Sequence, residues 1–213
     1  MYKFGQVEVA SKDFNSVYQV TDTVDLEKIR VSEGVVANKH DTRFIIGYEL
    51  EPGKIVPLYM KTPKDCASSG VSQYNEASAW KMGFNVSEDK EWVSKYEKIW
   101  WRICELMHAP GCGGFELGGI LKGEPLSNEK YINPKLITWD GEIRTRFKGK
   151  AWDKPEKIGS CHATGVIKIG SVYRQGLNYH LQVFLKECKY EKRDSSFTSQ
   201  LSDDDEEDYD MVN

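Results

Sequence analysis

Val166-Ile167-Lys168-Ile169-Gly170-Ser171-Val172-Tyr173-Arg174-Gln175-Gly176-Leu177-Asn178-Tyr179-His180-Leu181-Gln182-Val183-Phe184-Leu185 decides the fold class. Leu177, Tyr179, Leu181, Val183 and Leu185 fall at every second position, the spacing of one face of a β-strand. Gln175-Gly176 sits where a tight turn is needed, so 160–174 and 177–189 are predicted to pair as a hairpin. Outward from it, 42–50, 55–61, 77–84 and 142–148 alternate in the same way and read as strands. One segment breaks the pattern. Over 87–108, Trp92, Val93, Tyr96, Ile99, Trp100, Ile103, Cys104 and Met107 recur at helical spacing, with Ser87 as the expected cap, Glu88 and Asp89 at the positive end, and Pro110-Gly111 as the stop. Strands outnumber helices and are not interleaved with them. The expected fold is therefore mainly β (α+β), an antiparallel barrel of the OB type with one long packed amphipathic helix.

The length, 213 residues, favours one folded unit, expected over residues 1–193 without an internal linker or repeat. Residues 194–213 read as a disordered acidic tail, because 194–202 is polar and the acids follow. Asp203, Asp204, Asp205, Glu206, Glu207, Asp208 and Asp210 hold seven of the 33 acids, leaving 26 acids against 29 bases in the rest of the chain. A net charge of −4 thus hides a mildly basic body carrying an acidic arm. No apolar run is long enough to span a bilayer, and Met1-Tyr2-Lys3-Phe4-Gly5-Gln6-Val7-Glu8 lacks the apolar core of a signal peptide. No membrane association and no secretion are expected. The odd set Cys66, Cys104, Cys112, Cys161 and Cys188 fits reduced thiols in a cytosolic or nuclear compartment.

Arg144-Thr145-Arg146-Phe147-Lys148-Gly149-Lys150-Ala151-Trp152-Asp153-Lys154-Pro155-Glu156-Lys157 is the leading binding candidate, with six bases and two aromatics. On a strand Arg144, Arg146 and Lys148 share one face and Ile143, Thr145 and Phe147 the other, so the cations can follow a row of phosphates. Trp152 in the following loop is the expected stacking group for a base. The competing reading is an ordinary solvated strand face with Trp152 covering the core edge. Lys168, Tyr173, Arg174 and His180 on the final hairpin extend the basic territory, which counts 13 bases against six acids from Lys135 to Arg193.

Other chemistries find less support. Cys104-x3-His108-x3-Cys112 contains zinc-ligand residue types, but no C-x-x-C pair is present and Cys104 lies on the apolar helix face, so no metal is expected. The sequence contains no P-loop, nucleophile elbow or H-E-x-x-H signature, and Asp140 and Glu142 read as solvated carboxylates. A non-enzymatic protein without a cofactor is expected.

Tyr59-Met60-Lys61-Thr62-Pro63, then Gly70-Val71-Ser72-Gln73-Tyr74-Asn75-Glu76, then Trp80-Lys81-Met82-Gly83-Phe84 and the aromatic helix follow one another in an order that resembles the single-stranded DNA-binding proteins of nucleocytoplasmic large DNA viruses, such as iridoviruses and the African swine fever virus group. The resemblance extends over about residues 40 to 190. It implies an OB-type core binding single-stranded DNA in viral replication, recombination and repair, in the host cytoplasm or nucleus. It also draws Tyr59, Lys61, Tyr74, Trp80 and Lys81 into the candidate surface. The expected mechanism is phosphate neutralisation by Arg144, Arg146, Lys148, Lys150, Lys154, Lys157 and Lys168 with base stacking on Trp152 and Tyr173. Replication proteins are the partners expected for the tail, and self-association is left open. The rival is a virion or scaffold interaction protein with a basic partner-binding face.

Overall fold

The computed structural model describes residues 1–21, 23–38, 41–107, 129–149, 152–175 and 178–193. β1 (Tyr2–Phe4) and β2 (Val7–Val9) form a hairpin, followed by the short helix α1 (Ser11–Ser16). β3 (Ile29–Val31) and β4 (Val35–Val36) precede the hairpin of β5 (Asp41–Glu51) and β6 (Lys54–Lys61). β7 (Cys66–Ser68), β8 (Gly70–Ser72) and β9 (Lys81–Asn85) lead into the long helix α2 (Lys90–Leu106). Five short strands follow: β10 (Tyr131–Ile132), β11 (Lys135–Leu136), β12 (Thr138–Trp139), β13 (Glu142–Ile143) and β14 (Arg146–Lys148). The predicted hairpin comes last, as β15 (Cys161–Gln175) and β16 (Asn178–Lys192). The protein is thus mainly β with one long helix. Among the described residues no helix is long and apolar enough to cross a membrane.

The main sheet runs β10-β9-β11-β16-β15-β6-β5-β3, and it is mixed because β11 and β14 both lie parallel to β16. Its end strands do not pair with each other among the described residues, so the sheet is open and the expected barrel closure is not formed. It is nevertheless sharply bent. Val166 to Ile169 of β15 runs antiparallel to β6, and Ser171 to Gln175 runs antiparallel to β5, yet β5 and β6 are antiparallel to each other. The three strands must therefore bend where their pairings change over, and β15 carries a register shift at that place, between Ile169 and Ser171. Gly170 stands there because a Cβ would lie 2.9 Å from the Phe184 ring.

Two apolar clusters lie on opposite faces of this sheet. Ile46, Tyr48, Leu58 and Met60 join the main core, whereas Ile45 and Ile55 pack with Phe4 and Phe14. Adjacent residues on a strand point to opposite faces, so α2 covers one face and the N-terminal hairpin with α1 covers part of the other. α2 turns Trp92, Tyr96, Ile99, Trp100, Ile103 and Cys104 into the core, as its spacing predicts.

Three local readings are corrected. Asp89, not Ser87, caps α2, its carboxylate accepting from the Trp92 amide at 2.8 Å while the Ser87 hydroxyl donates to Asn85 at 2.6 Å. The strand expected over 77–84 exists only from Lys81. Before it, Gln73 Nε2 donates to the Ser78 carbonyl at 2.6 Å and the Ser78 hydroxyl to Asn75 Oδ1 at 2.7 Å, local bonds that compete with a ladder. The strand expected over 142–148 is split, because buried Thr145 ties the break down: its hydroxyl donates to the Leu185 carbonyl and accepts from the Ile137 amide, both at 2.8 Å. β11 and β14 are in effect one strand along β16, interrupted by a hairpin that turns at Asp140-Gly141, where both φ angles are positive. The readings on Lys150, His108, Cys112, Pro110-Gly111, the Gly176 turn residue and the tail over 194–213 lie outside the described residues. Cys66, Cys104, Cys161 and Cys188 are buried thiols.

Candidate nucleic-acid interface

Pairing registers place the cations. Arg146 on β14 faces Glu187 on β16, which faces Val166 on β15, which faces Lys61 on β6. Partners across a sheet share a face, so these four form one row about 14 Å long across three strand spacings. Lys148, Lys189 and Thr164 form the next row. The exposure alternation predicted for 143–148 holds across the break: Arg144, Arg146 and Lys148 are exposed, while Ile143, Thr145 and Phe147 turn inward. A groove of about 270 Å³ runs between the rows, lined by Lys61, Lys64, Lys148 and Lys189 with Val166 among its lining residues.

Carboxylates temper this charge. Glu187 Oε2 lies 3.6 Å from both Arg146 and Lys148, and Arg144 pairs with Glu142 at 2.7 Å. The Tyr18 hydroxyl donates to Glu187, and that bond, with the cations behind it, holds the Glu187 carboxyl below its usual range despite partial burial. Burial and the acceptor beside it push the Tyr18 phenol up, keeping it protonated as the donor. The Tyr18 ring stands at a cation crossing, 5.4 Å from the Arg146 guanidinium and 5.9 Å from the Lys186 ammonium. Sequence reading missed Tyr18 and Glu187, since no periodic signal ties residue 18 to residue 187.

The N-terminal segment also explains Tyr59. Its ring is on the outer face, but it is only 3% exposed, covered edge-on by Tyr18 at 5.0 Å and flanked by the Val20 bridge. The exposed role expected of Tyr59 is thereby corrected. Lys168, its cross-strand partner, is half-buried, with its ammonium on Asn15 Oδ1 at 2.9 Å and over the Phe14 ring. Burial, then Arg43 and Lys186, lower its pKa to about 8.

Trp152 lies where the competing reading puts it, at the core edge. It is half-buried against the main core, 5.5 Å from the Tyr190 ring, and Phe147 meets the same ring edge-on at 6.3 Å. Among the described residues the most exposed aromatics are Tyr74, 94% exposed in the loop before β9, and Trp139, 74% exposed on the hairpin between β11 and β14. Trp80 is half-buried against the core. Lys154 and Lys157 are exposed around a single 3-10 turn, and Arg174 is exposed with its guanidinium 6.0 Å from the Phe44 ring centroid. Lys81, Tyr173 and His180 lie outside these two rows and line a second pocket; Lys81 continues, through Lys135 and Phe184, the row of Lys168.

No known protein family matches the chain, and comparison with curated proteins finds no match.

Proposed function

We propose that the protein binds single-stranded DNA without sequence preference, using the outer-face rows as the phosphate track. One observation carries this reading: Lys61, Lys64, Lys148 and Lys189 line a shallow groove, and Arg146, with the Tyr18 ring under its guanidinium, stands across from the lining residue Glu187 in the same row. Point charges on adjacent strands contact phosphates and read no bases, while Trp139 and Tyr74 offer open ring faces on which any base stacks. The proposal includes the OB-type ancestry and the viral replication, recombination and repair role that the motif order implies. The sharp bending that the mutual pairing of β5, β6 and β15 requires supports it, being the curvature such a core needs. The rival reading, a basic face for an acidic protein partner, draws on the carboxylates already paired with Arg144, Arg146 and Lys148.

Equilibrium filter binding of single-stranded against double-stranded oligonucleotides, repeated across a salt series, decides between them. If about six phosphates are neutralised, log affinity falls with log salt at a slope of about −4 for single strands. Equal affinity for both DNA forms, or a flat salt response, would sink the DNA reading.

A further inference from the structure

We infer that a pocket bounded by β9, β11, β15 and β16 binds a nucleoside phosphate. It measures about 380 Å³ and shares no lining residue with the outer-face groove, so the inference stands independently of the proposed phosphate track. Lys81 and Lys135 are cross-strand partners in its wall, and Tyr173 and His180 are another such pair. Among the described residues neither lysine makes an ion pair. The Lys135 ammonium donates to the Gln182 amide oxygen at 2.5 Å. The one carboxylate in the lining, Asp41, accepts from Asn38 Nδ2 at 2.6 Å, and its second oxygen is buried without a partner.

Two adjacent ammoniums with no carboxylate paired to either among the described residues disfavour each other, and burial, then the Lys81 charge, lowers the Lys135 pKa. A phosphomonoester brings between one and two negative charges and relieves both effects. The rest of the lining suits the remainder of a nucleotide. Tyr173 is backed by the Arg43 guanidinium at 5.5 Å from its ring, and exposed His180 beside it adds a second planar group. Asn133 and Gln182 supply amides able to donate and accept at a base edge. A volume near the lower end of ligand pockets accommodates one nucleotide rather than an oligomer. The phosphomonoester has two sources, a free mononucleotide or the phosphorylated end of a strand.

Isothermal titration of the full chain tests this with thymidine monophosphate, thymidine and inorganic phosphate. The nucleotide is expected to bind at least tenfold tighter than either fragment, and Lys81→Gln with Lys135→Gln to weaken it at least tenfold. Lys81→Gln alone, expected to lose several-fold, keeps the test open should the double variant fail to fold. A short oligonucleotide with a 5′-phosphate that binds this pocket tighter than the mononucleotide assigns the strand end as ligand; otherwise the free nucleotide is assigned. Arg146→Ala with Lys148→Ala should leave nucleotide binding unchanged, which separates failure here from failure of the outer-face reading. Absence of nucleotide binding at millimolar concentration, inorganic phosphate binding as tightly as the nucleotide, or undiminished binding in folded lysine variants would overturn the inference.

Discussion

The Arg146/Lys148 rows and the second pocket each set two cations side by side, and they settle the repulsion differently. Arg146 and Lys148 share the Glu187 carboxylate, whereas Lys81 and Lys135 share none among the described residues. A cation pair with its own carboxylate is held in place before any ligand arrives, but the ligand must compete with that carboxylate. An uncompensated pair is unfavourable until an anion arrives, and so gains more from one. The first arrangement suits many weak, interchangeable phosphate contacts, the second a single defined anion.

The severest way to break the outer half of the comparison is Arg146→Ala with Lys148→Ala. Removing two charge-assisted contacts should weaken single-stranded DNA binding roughly a hundredfold at low salt, for every sequence alike, and shallow the salt slope by about 1.4. Gel-shift titrations on two unrelated sequences would check it, and a loss confined to one sequence would show that these residues read bases. Next in size is the exchange of tryptophan roles. Trp139→Ala should weaken binding about tenfold with stability almost unchanged, while Trp152→Ala should cost roughly 3 kcal/mol of stability and leave the binding of the folded fraction intact. Thermal melts beside binding curves would expose a reversal.

Glu187→Gln sharpens the comparison by freeing the outer pair. About threefold to fivefold tighter binding is expected, with a slope steeper by about 0.7, since one competing charge is gone. Weaker binding would mean that Glu187 serves chiefly to position Arg146 and Lys148. The smallest effect belongs to Lys168. Its ammonium is lost above about pH 8, so the salt slope should become shallower by about 0.7 between pH 7 and pH 9.5, and Lys168→Met should abolish that change. Because the folded-state value lies below the ordinary 10.5, its charge weighs against folding below pH 8 and ceases to as pH rises toward 10.5. Denaturant melts should therefore show the wild type gaining on Lys168→Met across that window.

Legibility in the sequence followed the range of the forces involved. The final hairpin, the buried face of α2 and the outward set Arg144, Arg146 and Lys148 are local patterns, and each is readable from spacing. The N-terminal cover is not. Phe14 and Tyr18 have no neighbours in sequence that announce what they bury, and only their contacts with Ile45, Tyr59 and Glu187 show why Tyr59 is hidden. Glu187 escaped notice because its pairing depends on the parallel register of β14 on β16. Trp139 did have a signal, the Asp140-Gly141 turn beside it, which marks a projecting hairpin as plainly as charge density marked the neighbourhood of Trp152.

β15 joins segments that are far apart in the chain: it pairs with 41–45, 58–61, 66–68 and 178–192. Contacts across so many intervening residues are slow to form, placing the protein among domains that fold in milliseconds to seconds rather than microseconds. On the ribosome, β5 and β6 wait for this neighbour until Gln175 has emerged, so for most of synthesis the backbone edges at 41–45 and 58–61 that β15 will pair stay open.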